Sequence, residues 1–224
     1  MLALRIIILD CYRQRVAAGS AIEAVSLDEE DGRESFVLQL WADFGRMHRC
    51  DYYKVVETEE GKSLVLIEKT DFAKSVDLAL DRFKEALKNL APGLAKEDRR
   101  GLIAKINESR RARKIWNLIF RELCEEHVAK AQATLLILER MYQVGVDREL
   151  ASIFKYANIH YIMLVPDDSS KEGDHENPED RSFQAKIAGL ISNRMAASFV
   201  SPKRFSWVRE KEFDRRFQET MMKS

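Results

Sequence analysis

The chain has 224 residues, 46% of them apolar and three of them tryptophan, enough to supply a packed core and to exclude global disorder. Lys plus Arg and Asp plus Glu number 37 each, so the formal net charge is zero. A polycation that coats nucleic acid by overall charge is excluded, whereas a local basic face is not.

The apolar run Leu2–Leu9 is interrupted by Arg5 and is far shorter than the roughly 20 residues that span a bilayer. It reads as a buried strand or the start of a helix rather than a signal peptide. Cys11, Cys50 and Cys124 are odd in number and widely spaced, with neither metal-ligand spacing nor a disulfide framework, which points to a cytoplasmic protein. Residues 11–25 are predicted to be helical, and Ser26–Ser35 a polar loop turning at Gly32. Phe36, Val37, Leu40, Trp41, Phe44 and Met47 recur at helical spacing.

"DYYKVVET" and "KSLVLIEKT" follow, two β-rich runs separated by Glu-Glu-Gly that form a hairpin signal. A turn at Glu60-Gly61, or over residues 59–62, pairs Thr58 with Ser63, Val55 with Leu66 and Tyr53 with Glu68. Alternation then sets Asp51, Tyr53, Val55 and Glu57 on one face together with Leu64, Leu66, Glu68 and Thr70. Asp51 and Glu68 become diagonal neighbours, with Cα atoms roughly 7–8 Å apart. Two carboxylates at that separation suit one hard cation, and Mg²⁺ takes one or two carboxylates plus water and phosphate oxygens.

Downstream, Asp71 caps a helix carrying the stripe Val76, Leu80, Phe83, Leu87 and Leu90, which "APG" at 91–93 terminates. Residues 97–157 read as a helical block. It holds Arg99, Arg100, Lys105, Arg110, Arg111, Arg113 and Lys114, a candidate phosphate-binding face interleaved with Glu97, Asp98 and Glu108. Asn158–Val165 reads as a further strand, and 166–180 as a mobile acidic loop. A helix is predicted near 181–197 and a last amphipathic helix near Trp207–Met221, whose Phe205, Trp207, Phe213 and Phe217 form a docking seam for the domain itself or for a second copy.

The order of elements gives a single α+β (mixed α/β) domain over 1–224, with a small sheet flanked by helices and a mainly helical middle. The segment Asp51–Leu90, with Asn158–Val165 as a further core strand, resembles the PD-(D/E)XK nuclease superfamily. In that family one acidic residue begins a strand, and a second acidic residue and a lysine end the next, followed by a helix. The resemblance implies Asp51 and Glu68 as ligands of Mg²⁺ and nucleic acid as substrate. This sequence departs from the pattern: Thr70 stands at the lysine position, Lys69 points to the other face, and Glu60-Gly61-Lys62 falls in the turn. A displaced Lys74 or Lys54 would then carry the lysine's role. Separately, Arg121 and His127 are similar to the Arg-x(4–6)-His pair of HEPN ribonucleases. The alternative from a different class is a non-catalytic module that binds a protein or nucleic acid through its helical block and C-terminal helix.

Overall fold

The computed structural model describes residues 9–28, 37, 48–59, 61–71, 101, 110–147, 149–152, 158–167, 189–194 and 204–222. Contacts divide the chain into two compact units, one made of Met1–Thr70 and His127–Ser224 and the other of Asp71–Glu126. In the second unit the described part is chiefly the first half of a long helix, α1 (Arg110–Gln143), with Leu123 and Cys124 buried. The first unit holds a six-stranded sheet in the order β1 (Arg13–Arg15), β2 (Glu23–Ser26), β3 (Tyr52–Thr58), β4 (Gly61–Lys69), β5 (Asn158–Val165), β6 (Phe205–Arg209). The first four strands are antiparallel, while β5 and β6 add on in parallel. The fold is α+β. Among the described residues no helix is long and apolar enough to cross a membrane.

The hairpin forms where the two β-rich runs predict it, but two residues tighter. Thr58 pairs with Gly61, Val55 with Leu64 and Tyr53 with Leu66. Gly61 begins β4 at φ 113°, a conformation a side chain disfavours, so the chain reverses before it rather than through it. Because the slip is two residues, side-chain period 2 leaves every residue on its predicted face.

Those faces pack differently. Tyr52, Val65, Ile67, Ile162, Leu164 and Val208 form a core with Val16, Ala17 and Ala24, closed by Phe213, Phe217 and Met221 of α2 (Phe213–Met222). The opposite face carries Tyr53, Leu64, Leu66, Glu68, Tyr161 and Met163, all buried. Here α1 from His127 onward turns inward a stripe of His127, Ala131, Thr134, Leu138 and Met141. Its end is fixed by Gly145 at φ 74°: Val146 N–H donates to Met141 O and Gly145 N–H to Tyr142 O, the Schellman arrangement.

Two predicted helices are corrected. Residues 11–25 form a 3-10 turn (Leu9–Tyr12) and the β1–β2 hairpin, because Gly19 at φ 78° ends any helix and the flanking backbone finds its partners in the sheet. At the C-terminus, Phe205, Trp207 and Arg209 alternate with Ser206 and Val208 in a strand paired to β5; a 3-10 turn (Glu210–Glu212) follows, and α-helix begins at Phe213. Phe213, Phe217 and Met221 on the apolar seam of that helix pack into the chain's own core. Val37 and residues 189–194 are helical, within segments predicted as helix. The helix after Asp71 and the acidic loop beyond Asp167 lie outside the described residues.

Candidate functional site

Asp51 precedes β3 and Glu68 is the penultimate residue of β4. Continuing the observed ladder by one step sets the two opposite each other rather than diagonally. Asp51 is held by both its backbone and its side chain. Its carbonyl accepts from Leu27 N–H at 2.7 Å, and its Oδ2 accepts from Lys69 N–H at 2.6 Å. Upstream, the buried Arg49 donates to Leu27 O at 2.8 Å and pairs with Asp28 at 3.0 Å, locking the loop after β2 against the entry to β3.

Glu68 is only 1% exposed. Its Oε1 accepts from Lys130 Nζ of α1 at 2.5 Å, while its Oε2 is buried without a hydrogen-bond partner. The helix that brings Lys130 here is pinned at the lysine's own backbone. Thr134 Oγ1 donates to Lys130 O at 2.8 Å and accepts from Cys50 N–H at 2.8 Å, joining α1 to the residue before Asp51.

Burial dominates the electrostatics. It pushes the Glu68 carboxyl up to about 8, with the Asp51 charge adding to the rise and Lys130 opposing it. Asp51 rises to about 6, again mainly through burial, opposed by the Lys69 N–H bond. The Cys50 thiol is driven well above its ordinary range by burial and then by Glu68. The floor is continued by Tyr161, whose hydroxyl lies 3.0 Å from His127 Nδ1 and whose ring stacks on Phe205 at 5.9 Å. Burial and then Lys130 lower His127 to about 3, so its ring is neutral at physiological pH.

The predicted residues are placed unequally. Asp51 and Glu68 share a face, as the alternation requires, and the Asp51 charge raises the Glu68 carboxyl further. Lys54 does not join them. It lies on the other face, donating to Glu23 O at 2.6 Å, because an even-numbered residue of β3 must point away from Asp51. Lys69 also lies there, its ammonium 5.1 Å over the Tyr52 ring. The ammonium at Glu68 belongs instead to Lys130, from a helix 62 residues downstream; its one sequence signal is a place beside the buried stripe of α1.

Lys74, Arg99 and Arg100 lie outside the described residues, as do the side chains of Arg110, Arg111, Arg113 and Lys114, whose backbone is helical. The Arg121–His127 pair diverges: Arg121 is exposed and bonded to Glu125 at 2.8 Å, while His127 is 3% exposed and turned onto Tyr161. A ring so enclosed is closed to a substrate hydroxyl. Among the described residues no group of three or more His, Cys, Asp or Glu side chains is arranged to hold a metal. A cation here would therefore be held by Asp51 and Glu68 with water and substrate oxygens.

The chain matches no family model, and no curated protein or solved structure matches it.

Proposed function

We propose that Asp51, Glu68 and Lys130 form a divalent-cation site for phosphodiester hydrolysis in nucleic acid, of the PD-(D/E)XK kind, in a cytoplasmic protein whose lysine comes from a helix. The observation that carries this reading is the meeting of two same-face carboxylates and an ammonium at the end of β4. The position of β5, parallel and directly beside β4, supports it too.

The donor set suits Mg²⁺. It consists of hard carboxylate oxygens, one of them a buried Oε2 lacking a hydrogen bond. Burial raises both carboxyls, Glu68 to about 8 despite the Lys130 ammonium, so further positive charge at the pair would favour their ionised forms. Bound Mg²⁺ contributes Lewis acidity and a more acidic water. Asp51 and Glu68 would hold it, with the Lys69 N–H fixing the Asp51 side chain. Lys130 would supply an ammonium to stabilise charge on a phosphoryl oxygen.

A second reading rests on the same ion pair. Lys130 already compensates Glu68, as it would in a relative that has lost cleavage and only binds. Calorimetry with Mg²⁺ and Mn²⁺ on the wild type and Glu68→Ala separates the two. Metal binding lost with Glu68, with cleavage of DNA or RNA that also requires Glu68, is the expected result. Silence at millimolar metal leaves the pair a structural one.

A further inference from the structure

We infer that the Lys130 ammonium is a resident counter-ion that holds Glu68 Oε1 until a divalent cation takes that oxygen, and that is released by the exchange toward an anionic substrate. This deepens the proposed cation site and rests on it.

The geometry makes the two positive charges competitors. Lys130 Nζ lies 2.5 Å from Oε1, and Mg²⁺ binds carboxylate oxygen at about 2.1 Å. On one oxygen they would stand about 4 Å apart, where repulsion is strong at any protein-like dielectric. One partner must yield, and burial decides which. Glu68 belongs to a strand paired on both sides and its side chain is 2% exposed. The Lys130 side chain is 19% exposed and carries a four-carbon stem.

The base of that stem cannot drift, because Thr134 ties the Lys130 carbonyl, through its own hydroxyl, to Cys50 N–H. The exchange is thus a swing of the lysine tip about a fixed root. The swing would free the ammonium to meet an anionic substrate at the same site. The second oxygen, Oε2, is buried without a hydrogen-bond partner, so its lone pairs are left unsatisfied in the metal-free fold.

The test is Mg²⁺ calorimetry at pH 8 on the wild type, Lys130→Met and Lys130→Gln, with circular dichroism to verify folding. It is joined to a Mg²⁺ titration of the wild type in which the ¹⁵N resonance of the Lys130 ammonium is followed. The expected result is Mg²⁺ affinity on the order of tenfold or more tighter in both variants, and a wild-type lysine resonance that shifts in step with the calorimetric isotherm. Wild-type binding with unaltered or weaker affinity in the variants and a stationary resonance overturns the inference while leaving the cation site standing. Binding in the variants alone overturns the inference, because Lys130 is then a permanent occupant that no divalent cation displaces. Absence of binding in all three removes both. If neither variant folds, the wild-type resonance decides by itself.

Discussion

A carboxyl group at the buried end of β4 loses its hydration and regains only one hydrogen bond, from Lys130, so its ionised form is disfavoured despite the ammonium beside it. The linkage to stability has a definite sign. Glu68 titrates near 4.5 in an unfolded chain and at about 8 in the fold, so between those values the folded protein holds a proton that the unfolded chain has lost. Stability therefore falls as pH rises through that window. Asp51 acts in the same sense between 3.8 and about 6. His127 acts oppositely from about 3 to 6.5, its folded value being lowered. Among these three groups, Glu68 alone titrates across the window from 6.5 to 8. In chelator-containing buffer, urea unfolding is expected to show stability dropping by about 1–2 kcal/mol across it. Glu68→Gln should flatten that slope, and an equally steep slope in the variant would mean another group is responsible.

The long helix α1 owes its place to its ends and its stripe more than to its propensity. From His127 onward, residues at steps of three and four meet the sheet, and Gly145 stops the helix so that Asp147 can accept from Tyr53 Oη at 2.8 Å. Nothing lies within 4 Å of a Cβ built on Gly145, so a substitution there is opposed only by its left-handed φ. Gly145→Ala is expected to cost about 1–2 kcal/mol, measured by chemical denaturation, with no change in Mg²⁺ binding. A neutral result would show that the cap does not hold the helix end. The short α2 lies on the other sheet face, where Asp214 in its first turn accepts from Ala21 N–H at 2.7 Å and from the Ser20 hydroxyl. That clasp joins the first hairpin to the last helix.

Over the first unit as a whole, the sheet grows from an antiparallel meander into parallel additions, and its middle is the most deeply covered part. In β4 all six residues Ser63–Glu68 are buried, whereas β1 is a three-residue edge with Arg13 and Arg15 exposed. Local opening should follow that gradient. Native-state hydrogen exchange is expected to be slowest in β4 and in β5 and fastest in β1. Equal protection of β1 and β4 would mean that the unit opens only globally. The site lies at the slow end of this gradient, which suits groups whose separation must be held to a fraction of an ångström.

Alternation along two adjacent β-rich runs determined, from sequence alone, that Asp51 and Glu68 share a face and that Lys69 does not. That conclusion survived a two-residue register shift because side-chain period is two. The β5 boundaries and the α+β class were equally legible, since a compact apolar run admits few other arrangements. The terminal segments were misread, because short amphipathic stretches suit strand and helix alike until a sheet edge or a left-handed glycine selects one. Only the tertiary structure decided that Lys130 meets Glu68, that Asp51 is held by the Lys69 N–H, and that His127 turns onto Tyr161. The pairings of Lys130 and His127 join α1 to strands far along the chain, and periodicity ranks positions within an element without specifying which element packs opposite.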